Sequence, residues 1–140
     1  MPSRKEIVEQ ELGVKIPAQY AAFLDKYGIY HDPVHGVEIY GIDDTLSNYD
    51  GVPCVIGATK NYRRDDGLPH RFIVIQFTGF EDEIVCIDTE NERIYAFSRD
   101  FDNRKIADSF DEWFQRDIIE YYKKDRPNKY AGEKIIIDKE

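Results

Sequence analysis

The chain has 140 residues, 41% of them hydrophobic and 34% charged, with a formal net charge of −9. That is enough for one domain, expected over residues 1–140, to build a core without disulfides or a metal. No run approaches the roughly 18 apolar residues of a membrane span, the opening MPSRKEIVEQ lacks the apolar middle of a signal peptide, and an acidic surface repels phosphate. A cytoplasmic protein with no membrane partner and no direct nucleic-acid partner is therefore expected.

Taken in order, Ser3-Arg4-Lys5-Glu6 has the form of a capping box, in which serine and glutamate each satisfy the other's free amide. The helix it opens carries Ile7, Val8 and Leu12 and stops at Gly13. A second helix begins near Pro17, and Tyr20, Phe23, Leu24 and Tyr27 give it one apolar stripe before Gly28 ends it. Residues 29–36 read as a loop, and Val37-Glu38-Ile39-Tyr40 alternates as a short strand. Asp43 to Gly51 is rich in turn residues. Val52 to Ile56 reads as an edge segment, because Pro53 argues against a central strand. The polar stretch 57–70 has room for one helical turn around Lys60–Arg64.

Arg71 to Ser98 is the strongest signal. Three apolar runs, RFIVIQF, EIVCID and RIYAFS, are separated by connections too short for a crossover helix, which predicts an antiparallel meander. Ile73 and Ile75 point one way and Phe72 and Val74 the other, so both faces need covers. Arg99 to Lys105 reads as a charged, exposed connection. Ser109-Phe110-Asp111-Glu112 repeats the capping box, and the helix after it runs to about Tyr122 with Phe110, Trp113, Phe114, Ile118 and Tyr121 on its apolar side. Lys123, Lys124, Arg126 and Pro127 mark its end, and the Ile135–Ile137 run beyond is apolar enough to dock as a strand. The expected fold is α+β: a curved, mainly antiparallel sheet with a central meander, with two N-terminal helices and one C-terminal helix packed on it.

A search for chemistry finds little. The glycines form neither a dinucleotide fingerprint nor a phosphate loop, and no nucleophile elbow is present. His31 and His35 have helical spacing, but Pro33 between them breaks a helix, so two partly exposed loop histidines without a metal are expected. Asp43-Asp44 and Asp65-Asp66 fit turn and cap chemistry better than acid–base work. Cys54 and Cys86 lie in apolar runs, as buried, reduced and unreactive thiols do. Lys60, Arg63 and Arg64 are the tightest basic cluster, and two aspartates follow at once. No catalytic residues, metal or cofactor are expected.

Charge is the informative feature. Residues 27–59 hold five acids and no base, and residues 81–92 hold six acids and no base. The rest of the chain is therefore slightly basic. Such blocks steer a basic partner. Asp43, Asp44, Glu81, Asp82 and Glu83 flank turns and are the expected steering charges. Among the ten tyrosines, Tyr40 and Tyr49 lie in or beside the first block and are the expected anchors of a protein interface.

The N-terminal pattern of Glu11-Leu12-Gly13, Ile16-Pro17, Tyr20, Phe23-Leu24 and Tyr27-Gly28 resembles the opening of the SUKH superfamily. Its yeast members are cell-wall synthesis regulators. Glu38-Ile39-Tyr40-Gly41, Leu68-Pro69 before Phe72–Ile75, Gly79, Ile87-Asp88-Thr89, and Ser109-Phe110 with Trp113 follow in family order, so the likeness spans residues 6–118. Ile29 departs from it, where many members carry a second glycine. The resemblance implies a bacterial immunity protein that binds and neutralises a cognate toxin, a basic nuclease by class, and it supplies no catalytic residues. An intracellular adaptor that binds a protein or peptide is the alternative. An enzyme of unrecognised type would need a pocket with convergent polar groups.

Overall fold

The computed structural model describes residues 3–42, 54–79, 83–98 and 103–123. Both halves of the first capping box form: the Glu6 amide donates to Ser3 Oγ at 3.1 Å and the Ser3 amide to Glu6 Oε1 at 3.2 Å. They open α1 (Arg4–Leu12), and Gly13, at φ +69°, closes it. α2 (Ala18–Lys26) follows Pro17 and buries Tyr20, Phe23 and Leu24. Tyr27, the last residue of the expected stripe, is 36% exposed.

The expected loop 29–36 contains a strand. β1 (Tyr30–Asp32) pairs antiparallel with β2 (Val37–Ile39), Tyr30 opposite Ile39. Tyr-His-Asp has no apolar alternation to announce it. The strand is held by its partner and by Tyr30, whose ring packs edge-on against Phe114 at 5.2 Å.

The largest departure is α3 (Val55–Asp66), twelve residues where an edge segment and a single turn were expected. Val55, Ile56 and Gly57 are poor helix formers, but Val55 through Thr59 are all buried, and burial outweighs propensity differences of under about 1 kcal/mol per residue. Val52 and Pro53 lie outside the described residues, as do the turn-rich 43–51 and the 135–137 run.

β3 (Phe72–Phe77), β4 (Ile84–Asp88) and β5 (Ile94–Phe97) form the expected meander, and β6 (Asn103–Ala107) extends it as a fourth antiparallel strand in the order β3-β4-β5-β6. The expected charged connection thus supplies an edge strand: Arg104 and Lys105 are exposed as read, yet pair with Ala96 and Tyr95. Exposed basic side chains are common on edge strands, where they discourage further pairing. A bulge at Ile75 breaks the simple alternation of β3 and turns Gln76 into the core, 6% exposed.

Register places Ile73, Ile87 and Ile94 on one face and Val74, Cys86 and Tyr95 on the other. Both faces are apolar and, apart from half-buried Tyr95, these residues are buried. α3 packs against β3, α1 against α2 and α3, and α2 against the C-terminal helix. The open edge of β3 is sealed: Val74 N–H donates to Thr59 Oγ1 of α3 at 2.9 Å, and Tyr40 N–H donates to Ile75 O at 2.7 Å.

The C-terminal helix begins as α4 (Phe110–Trp113), passes through a π-helical segment (Phe114–Glu120) and finishes as α5 (Tyr121–Lys123). Ser109 Oγ accepts the Glu112 amide at 3.2 Å, while the Glu112 carboxylate takes the amide of Asp108 at 3.4 Å. Phe110, Trp113, Phe114 and Ile118 are buried as expected. The wider π turn advances the stripe, so Tyr122 is buried and Tyr121 only half so.

Candidate partner-binding surface

The polar clusters of the sequence are occupied with structure. Lys60 Nζ sits 2.9 Å from Glu11 Oε1, and Arg63 donates to the carbonyls of Leu12 at 2.9 Å and His70 at 2.6 Å. Arg64 pairs with Asp65 at 2.9 Å. The first two thereby tie α3 to the end of α1. His31 lies in β1. His35, in the hairpin turn, sets Nδ1 2.6 Å from Asp32 Oδ2 and its ring 5.0 Å from that of Tyr122. Burial works to raise the Asp32 carboxyl, but the hydrogen bonds from the His35 ring and amide outweigh it and hold the group below its ordinary range. Burial pushes the Cys86 thiol well above its usual value, the reverse of activation. Among the described residues no group of three or more His, Cys, Asp or Glu could hold a metal ion, and no helix is long and apolar enough to cross a membrane.

Of the expected interface residues, Asp43, Asp44, Tyr49, Glu81 and Asp82 lie outside the described residues. The other two are not free at the surface. Glu83 is 7% exposed and holds Arg104 Nη1 at 3.0 Å, so it does not project from a turn. A carboxylate this buried needs a charged partner, and register brings Arg104 alongside, which spacing in the sequence could not announce. Tyr40 is 5% exposed, its carbonyl accepting the Tyr20 hydroxyl at 2.7 Å. Burial, and then the charge of Glu38, pushes its own hydroxyl up to about 12. It closes the core instead of anchoring a partner.

Two aromatics are exposed among the described residues, Phe77 at the end of β3 and Tyr27, which lies along the seam between α2 and the C-terminal helix. Tyr27 meets Tyr30 edge-on at 5.4 Å and Phe114 at 5.8 Å, while Phe23 fits between Tyr20 and Phe114. Lys26 Nζ stands 5.2 Å over the Tyr27 ring. A shallow groove of about 150 Å³ runs beside them, with Gln19, Asp111 and Gln115 on its rim. The π-helical segment begins at Phe114, and such segments recur at functional positions. The arrangement suits a protein contact: rigid rings, one partly exposed tyrosine and a polar rim. The signal in the sequence was a helix stripe one residue longer than the core needs, ending on Tyr27.

A family model described as SUKH_5, SMI1-KNR4 cell-wall, matches residues 2–120. No curated protein matches the chain.

Proposed function

The chain belongs to the SUKH_5 family, SMI1-KNR4 cell-wall, and from that premise we propose that it is an immunity protein that binds and neutralises a cognate bacterial toxin, a nuclease by class, through protein–protein contact. The observation that carries the choice of partner is the charge pattern: two base-free acidic blocks on a chain that is otherwise slightly basic. An enzyme that grips phosphates carries a basic cleft, and an acidic face complements such a cleft. Asp43, Asp44, Glu81 and Asp82 remain the steering charges of this reading. Tyr27, with Tyr30 behind it, replaces Tyr40 as the described anchor, because only an accessible ring can bury against a partner. Binding, without catalysis by this chain, is the proposed mode of action.

The test is co-expression with the product of the adjacent gene. Protection of growth, a complex that survives gel filtration and loss of the partner's nuclease activity are expected. Capture without inhibition would favour an intracellular adaptor, and neither capture nor protection would overturn the proposal.

A further inference from the structure

A cleft of about 540 Å³ opens where the end of α3 meets the meander. Its floor is aromatic: the Phe72 ring meets that of Phe97 at 4.8 Å and that of Tyr95 at 5.7 Å, and Asn103 and Asp66 stand on the rim. The one cation lining it among the described residues is Arg71.

Arg71 is held from both ends. Its carbonyl accepts the amide of Thr89 at 2.9 Å and the Thr89 hydroxyl at 2.6 Å, which pins the backbone to the β4–β5 turn. Its Nε lies 3.1 Å from Oδ2 of Asp88 as an ion pair without a hydrogen bond, Oδ2 being buried with no hydrogen-bond partner, while Oδ1 of this fully buried carboxylate accepts the Glu90 amide at 2.9 Å. The guanidinium carbon stands 5.2 Å from the centre of the Phe72 ring. Neutralising Asp88 explains Nε. It does not explain the terminal edge of the fork: the side chain is 48% exposed, and Nη1 has only the loose company of Glu90 at 3.8 Å, itself 67% exposed. A guanidinium placed by this ion pair and by the Phe72 ring presents two parallel donors at its far end, the geometry that a carboxylate accepts. Aromatic walls with few fixed polar groups, in a volume between about 300 and 1,000 Å³, are what small-ligand sites have.

We propose that this cleft binds a carboxylate carried on a large apolar group, with Arg71 receiving the carboxylate and the half-buried Tyr95 ring, backed by the buried Phe72 and Phe97, facing the apolar part. Glu90 occupies the edge of the fork until the ligand displaces it. The chemistry is shared by a free aryl-alkanoic acid and by the C-terminal residue of a peptide, and it does not depend on whether the main partner is a toxin.

The probes are 3-phenylpropionate with its amide, and acetyl-Gly-Gly-Phe as free acid and as amide, titrated into the full chain while the Arg71 Nε–H and Tyr95 ring resonances are followed. Each acid is expected to bind about tenfold more tightly than its amide, the scale of one charge-assisted pair. Tighter binding of the peptide acid than of phenylpropionate assigns the source to a chain terminus, and the reverse order to a free acid. Arg71→Lys keeps a charge for Asp88 but loses the fork, and should weaken the acids about fivefold or more while leaving the amides unchanged. Glu90→Gln removes the competitor at an exposed position without touching the fold, and should strengthen binding of both acids. Equal affinity for acid and amide, or a Glu90→Gln protein that binds the acids no better, would overturn the site.

Discussion

Gly41 shows how a single missing side chain can hold several elements together. A Cβ there would stand 1.7 Å from the carbonyl oxygen of Gly28, which itself accepts the Ile42 amide at 3.1 Å. The Gly41 carbonyl in turn accepts the Val55 amide at 2.8 Å, at the first turn of α3. The end of α2, the end of the hairpin and the start of α3 thus cross at one point with no room for a methyl group. Gly41→Ala should cost about 3 kcal/mol, the upper end for overpacking, because the obstacle is backbone and cannot rotate away. Gly67→Ala is the control. It has φ +72° but nothing within 4 Å of the added atom, so only the left-handed backbone penalty of about 1 kcal/mol applies. Urea unfolding of both variants checks this, and similar losses would mean that the crossing at Gly41 relaxes easily.

At the scale of elements, α3 matters most, since it seals the edge of β3. Thr59 is fully buried and its Oγ1 is the acceptor for the Val74 amide. Thr59→Val keeps the shape and removes the acceptor, leaving a buried N–H without a partner, which costs about 1–3 kcal/mol. Thr59→Ser keeps the oxygen and should lose less. Faster amide exchange at Val74 in the valine variant, with the serine variant near wild type, is the expected pattern. Slow exchange in the valine variant would mean that water or another oxygen takes the proton. The C-terminal helix makes a related contribution at the far edge, where Arg116 Nη2 donates to the Ile106 carbonyl of β6 at 2.7 Å.

For the whole molecule, the acid is less freely available than its count suggests. Within the second block Glu83 and Asp88 are buried against Arg104 and Arg71, leaving Glu90 and Glu92 as its described exposed acids. Steering by the proposed face therefore falls to fewer groups. Asp43→Asn/Asp44→Asn/Glu81→Gln/Asp82→Asn should slow association with the cognate toxin and flatten the salt dependence of that rate, with little change in dissociation. Stopped-flow rates at low and high salt test it, and identical salt slopes for the two proteins would remove the acid from the interface.

What the sequence alone determined about this protein is local. Ser3 with Glu6, Gly13, the apolar stripe of Phe110 and Trp113, and the three runs of the meander each carry their signal within a few residues, as a cap, a stop or a period. The resemblance carried by Tyr20, Phe23-Leu24 and Glu38-Ile39-Tyr40-Gly41 reached the family for the same reason, since it is an ordered string of such signals. Tertiary structure alone decided the rest. α3 forms over Val55-Ile56-Gly57 because burial there exceeds their weak helix propensity. β1 and β6 are strands because neighbours pair with them. Tyr27 reaches the surface and Tyr40 does not, because packing around each ring, and not its place in a local pattern, sets its exposure. Glu83 and Asp88 stand beside arginines 21 and 17 positions away in the chain, and a charge taken out of water requires such a partner whatever its distance along the sequence.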